Sequence, residues 1–230
     1  MKTEIQLLLI LLSSLLILGC DSCNNGPAVI ETVEEVEPYT GPPFVVFFFD
    51  QEIIPPPIET APPSYPDQTY TAQVFIEDKT ERKLYGPYPG STFPNNKTYE
   101  DDKPKTIDTG TYLFLNYLGH KGMTKKGLNL VIYKNGKILR ETPALTKSGI
   151  PKSATEINVH YGTSNKGNPD SRGSRGCLTI HPDSVDAFMN NFDWEAPNLN
   201  TGTSEGIVHV KRSNPMLRNE MINKLKSMYD

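Results

Sequence analysis

The sequence predicts a mainly β fold with two short peripheral helices, and three observations carry that prediction. Short β-branched or aromatic runs recur between Gly, Pro and Asn along residues 71–213. Lys134-Asn135-Gly136-Lys137 contains the dipeptide that most strongly favours a two-residue hairpin. Only two stretches repeat apolar residues at helical spacing.

The expected strands, in order, are Gln73–Ile76, Gly110–Phe114, Leu128–Tyr133, Ile138–Leu139, Ile157–His160, Leu178–Ile180 and Gly206–Val210. Asn135-Gly136 joins Val131-Ile132-Tyr133 to Ile138-Leu139, because both turn residues tolerate positive φ. The first helix starts at Pro182-Asp183-Ser184, with proline preset for the opening turn, and places Val185, Phe188, Met189 and Phe192 on one face. The second, near Met216–Tyr229, repeats Leu217, Met221, Leu225 and Met228. No internal repeat of fixed period is present.

Composition narrows the class. A chain of 230 residues with 37% hydrophobic and 22% charged residues is long enough for a real core and too polar for a polytopic membrane protein. The net charge of −4 excludes the uniformly basic surface of a nonspecific nucleic-acid binder. Three cysteines make neither a disulfide scaffold nor a four-ligand zinc site.

The first residues read as an export signal. An apolar run from Ile5 to Leu18 is too short to span a bilayer but suits the h-region of a secretory leader, with Lys2 as a thin n-region. Ile17-Leu18-Gly19-Cys20 resembles a bacterial lipobox, which implies that Cys20 takes a diacylglyceryl group and that cleavage falls just before it. Residues 1–19 are then a lipoprotein signal peptide, and the rest is expected outside the cytoplasm, held to the membrane by lipid. Residues 20–70 read as an acidic tether: residues 21–70 hold ten of the twenty prolines, and the stretch has nine carboxylates and no Lys or Arg. Since the leader is neutral, residues 71–230 carry an excess of five positive charges and form the expected domain. Phe44-Val45-Val46-Phe47-Phe48-Phe49 resists the tether reading, being too apolar to leave in water; it is expected as a strand packed on the domain or on a protein partner. Cys23 reads as an incidental thiol near the membrane.

The chemistry concentrates between His160 and Cys177. A strand ends in a histidine, a polar Gly-rich loop follows, and a cysteine opens the next strand. Two strand ends joined in this way can bring imidazole and thiol to one sheet edge, as a nucleophile–base pair requires. A free thiol has a pKa of about 8.5, and a neighbouring imidazole with the charges of Arg172 and Arg175 would favour the thiolate. Gly176 removes a Cβ that would crowd a substrate and is expected to leave consecutive N–H groups available to an oxyanion. The ordinary alternative is an inert buried cysteine beside a hydrogen-bonded core histidine. His181, His209 and His120 are weaker candidates, and one thiol with His160 and His181 matches no standard zinc spacing, so neither metal nor cofactor is expected.

His160 followed by Ser174-Arg175-Gly176-Cys177 resembles the signature of YkuD-type L,D-transpeptidases, where a histidine precedes Ser/Thr-His-Gly-Cys. Thr106-Ile107-Asp108-Thr109-Gly110-Thr111-Tyr112 is similar to that family's Thr-Pro-x-Gly-x-Phe/Tyr strand. The resemblance covers residues from about 71 to 192, and Arg175 stands where the family has its second histidine. It implies a YkuD-like β-sandwich or barrel in which Cys177 is the nucleophile and His160 the base. Gly176, Arg175, Ser174, Gly162 and Tyr161 are the candidates for oxyanion and substrate contacts, Arg175 by gripping a carboxylate. The implied substrates are peptidoglycan stem peptides, cut at an L,D bond between a diaminopimelate-type residue and terminal D-Ala. Transfer to an amine would be transpeptidation, and transfer to water carboxypeptidase or endopeptidase action. Two other classes stay open: a non-catalytic peptidoglycan-binding lipoprotein, and a surface lipoprotein that binds a protein partner through residues 44–49.

Overall fold

The computed structural model describes residues 41–52, 70–94, 106–118, 126–135, 137–146, 150–162, 174, 176–192, 194 and 205–230. The leader, the Cys20 lipobox, Cys23, and residues 53–69 of the expected tether lie outside the described residues. The fold is mainly β with two helices and a barrel-like sheet.

Eight strands form the barrel wall. β1 (Phe44–Gln51) runs parallel to β12 (Gly206–Ser213) and antiparallel to β2 (Ala72–Asp78), which turns back into β3 (Lys83–Ser91). On the other side β12 pairs with β5 (Gly110–Leu118), and β5 with β6 (Lys126–Lys134). β10 (Asn158–Tyr161) and β11 (Leu178–Ile180) complete the wall: β11 joins β3, and β10 pairs with both β11 and β6, closing the ring. β7 (Lys137–Leu139) hangs on β6 as the expected hairpin, with Asn135 at a φ of 52°. A separate three-stranded sheet is built from β4 (Thr106–Ile107), β8 (Glu141–Leu145) and β9 (Pro151–Thr155).

The alternation of side chains sorts each strand into an inner and an outer row. Val46, Phe48, Val74, Ile76, Phe114, Leu128, Leu130, Val159, Leu178, Ile180, Val208 and Val210 fill one core cluster. α1 (Pro182–Met189) contributes Phe188 and Met189 to it, and Phe192 meets Phe44 and Phe114 edge-on. Asp50 is fully buried as well, yet its carboxylate accepts from the Thr92 N–H and hydroxyl at 2.9 and 2.8 Å. Arg212, its register partner, donates to Thr92 O and Ile107 O, so this polar group is satisfied by hydrogen bonds.

Outside the wall, α2 (Pro215–Lys226) packs Ile222 and Leu225 against Phe49 and Phe75. The helix is capped by Asn214, whose side chain accepts from the Leu217 N–H at 3.0 Å. Its buried stripe differs from the expected one: Leu217 and Met228 are 44% and 62% exposed, because Ile222 takes the inward position that the four-residue repeat assigned to them.

Two expectations move. The domain start at residue 71 falls inside the barrel, since β1 is hydrogen-bonded on both edges; residues 39–230 form one compact unit. Within the Phe44–Phe49 run, Val45, Val46, Phe48 and Phe49 are buried by the chain itself and Phe44 and Phe47 pack partly buried on its two core clusters, so the run is a strand packed within the domain. β3, β4, β8 and β9 were not among the expected strands. β3 carries Pro87, Pro89 and two glycines, and β8 carries Pro143, so each lacks the uninterrupted β-branched pattern that marks a strand.

Candidate active site

β10 carries His160, one of the two residues singled out by the sequence, and Cys177, the other, immediately precedes its parallel neighbour β11. In their parallel ladder Val159 faces Leu178 and His160 faces Thr179. Val159 and Leu178 point into the core, so His160 and Thr179 share the outer row. Cys177, one residue before β11, stands at the level of Asn158, two ladder positions or ~6.6 Å along the strand direction from His160, and its Sγ lies toward the Glu156 carbonyl.

The imidazole is fixed by its own strand. His160 is 2% exposed, and its Nδ1 lies 2.6 Å from the Tyr161 carbonyl oxygen. A carbonyl only accepts, so Nδ1 carries the proton and donates it there. Nε2 then keeps its lone pair, the tautomer a general base needs.

The cysteine sits in a locked turn. Ser174, 3% exposed, donates its hydroxyl to the Cys177 carbonyl at 2.6 Å and accepts the Gly176 N–H at 2.9 Å. Gly176 has a φ of 153°, in the half of backbone space that residues with a Cβ rarely enter. The structure gives glycine before Cys177 a conformational reason. The expectation that the Gly176 N–H stands open to an oxyanion is corrected: Ser174 Oγ occupies it. Cys177 is a partly exposed thiol whose Sγ lies 3.9 Å from the Glu156 carbonyl, at the long end of a sulfur contact.

Of the remaining candidates, Gly162 donates its N–H to Ile180 O at 2.8 Å and is pressed by Tyr70, whose hydroxyl end occupies the space a Cβ would need. Tyr70 in turn stands edge-on to His181 at 4.8 Å. His181 is the N-cap of α1, its Nδ1 accepting from the Asp183 N–H at 3.2 Å, so it has a structural post rather than a place beside Cys177. Tyr161 projects to the opposite face from His160 and lines a pocket against α1. Arg175 and Arg172 lie outside the described residues. Among the described residues no group of three His, Cys, Asp or Glu side chains is gathered to hold a metal ion.

Thr179 is the site residue that the sequence reading missed. It is completely buried next to His160, and its Oγ1 has no hydrogen-bond partner among the described residues. Asn129, whose Nδ2 donates to Asn158 Oδ1 at 3.0 Å, leaves its own Oδ1 without a partner among the described residues. A polar row thus crosses β6, β10 and β11 on the His160 face. The signal was legible as a polar residue between Leu178 and Ile180 in a strand otherwise buried.

No family model matches the chain, and no curated protein and no solved structure matches it.

Proposed function

We propose that the chain is a cell-envelope Cys–His enzyme that acts on peptidoglycan stem peptides through a thioester on Cys177. What supports this reading is that His160 stands on β10 with its Nδ1 committed to Tyr161 O, while Cys177, a partly exposed thiol, leads directly into the neighbouring parallel strand β11. Nε2 takes the Cys177 proton as the sulfur attacks the peptide carbonyl carbon; the C–N bond breaks and the leaving amine receives that proton from the imidazole. The acyl group then passes from sulfur to an acceptor amine, completing a transpeptidation, or to water, completing a hydrolysis. Arg175 and the lipid on Cys20 belong to this proposal as the carboxylate contact and the membrane anchor.

The identity of the substrate rests on the resemblance of His160 and Ser174-Arg175-Gly176-Cys177 to the L,D-transpeptidase signature. Incubation of the protein with purified muropeptides, read by mass, tests it. Loss of terminal D-Ala or formation of cross-linked products is expected from the wild type, and neither from Cys177→Ala. Unchanged muropeptides would reject the substrate. Alkylation separates substrate from chemistry: iodoacetamide should modify native Cys177 well below pH 8.5, and more slowly in His160→Ala.

A further inference from the structure

On the face of β10 away from His160, a pocket of about 440 Å³ opens between the end of β10, the start of β6 and α1. Pro182, Val185 and Met189 of α1 give it an apolar floor, and Tyr161 forms one wall. Two opposite charges line the same space. The Lys126 ammonium is held at one end, 3.5 Å from Asn190 Oδ1 and 5.3 Å over the Trp194 ring. Asp186 lies one helical turn before Asn190, about 6 Å along the axis. Neither charge makes an ion pair among the described residues, although both line one pocket.

We infer that this pocket binds the zwitterionic head group of an amino acid with an aliphatic side chain. The ligand's carboxylate meets Lys126, its ammonium meets Asp186, and its side chain covers Val185 and Met189. With the Lys126 ammonium beside Asn190, one turn from Asp186, the pocket presents both signs of charge to a head group whose own two charges are fixed a few bonds apart. A purely anionic ligand would be repelled by Asp186 and a purely cationic one by Lys126. The inference is independent of Cys177, yet it bears on the site described above: an occupant touches Tyr161, the residue whose carbonyl holds His160 Nδ1.

The test uses D- and L-norleucine, their N-acetyl derivatives and their amides, titrated into the ¹⁵N-labelled full chain and into its Cys177→Ala variant. Norleucine should shift the amide signals of Tyr161, Asp186 and Asn190, equally in both proteins. Removing either ligand charge should weaken binding up to about fivefold, the range expected of partly exposed charge pairs. Lys126→Met should weaken norleucine and its amide-bond-capped N-acetyl form but leave the C-terminal amide unaffected, and Asp186→Asn should spare only the N-acetyl form. Equal affinity for all three ligand forms, variants that bind as the wild type does, or shifts confined to residues outside the pocket would overturn the inference. Both side chains are outside the core clusters, and a thermal melt checks that the variants remain folded.

Discussion

His160 lies directly opposite Thr179 in the parallel ladder of β10 and β11, and the Thr179 hydroxyl beside it is fully buried with no partner among the described residues. Leaving a buried polar group unsatisfied costs about 1–3 kcal/mol. An apolar replacement of the same shape removes that cost. Thr179→Val should therefore raise the denaturant midpoint without changing the slope of the transition. A loss of stability in that variant would mean that the hydroxyl is satisfied in solution.

Ser174 holds the turn before Cys177 through two bonds, donating to Cys177 O and accepting from Gly176 N–H. Ser174→Ala leaves both backbone groups without it. The expected cost is about 1–3 kcal/mol of unfolding free energy, read by denaturant titration. The freed turn should also exchange its Gly176 amide hydrogen faster, a change that a loss of packing elsewhere would not produce.

Gly176 holds a φ of 153°, and a side chain there must either accept the strain or move the turn. Gly176→Ala should cost about 1–3 kcal/mol and change the alkylation rate of Cys177. The same substitution at Gly127, inside β6, supplies the comparison, because that position has no positive φ. Equal costs at the two positions would remove the conformational argument.

What could be read from the sequence follows its local patterns. Leu178–Ile180 and the Asn135-Gly136 hairpin carry their own signals, and both appear in place. Pairing between distant segments carries no such signal: that β10 meets β6 as well as β11, closing the ring, depends on Asn129 finding Asn158 across the loop. The same holds for the site. His160 and Cys177 stand out as residue types at a loop, whereas Tyr70 reaches Gly162 from 92 positions away, a juxtaposition that only the tertiary fold creates. β1 was legible as a strand, an apolar run too hydrophobic for the proline-rich acidic chain around it, but its place between β2 and β12 was not.

His209 is half-buried on the outer face of β12, stacked on Phe47 at 5.1 Å, with Nδ1 2.9 Å from Thr111 Oγ1. Burial first, and the charge of Lys211 second, push its pKa below the usual value, against a smaller pull from Glu77. The folded state thus binds fewer protons than the unfolded chain as pH falls from about 6.5. Stability should decline through that window and level off below the folded-state pKa. His209→Gln should flatten this segment of the curve when unfolding midpoints are measured from pH 7.5 to pH 5. An unchanged slope would place the pH dependence on other groups.

β1 makes the sharpest demand on where the folded unit begins. It pairs with β2 over Phe44–Phe49 and with β12 over its whole length, so its removal exposes the edges of two strands at once. It also removes Val46 and Phe48 from the core and Phe49 from the cluster under α2. Truncating one buried phenylalanine already costs about 3–5 kcal/mol, a large part of the 5–15 kcal/mol that separates folded from unfolded domains. A fragment of residues 71–230 should therefore fail to fold, with no cooperative thermal transition, while one of residues 39–230 should melt as the full chain does. Limited proteolysis offers the same comparison without truncation. The stable product should retain Phe44–Gln51, either continuous with the rest or nicked between residues 52 and 70 and still associated through the β1 pairings. Dissociation of that strand from a core that stays folded would mean that β1 is an accessory edge, and the barrel would then have to close without it.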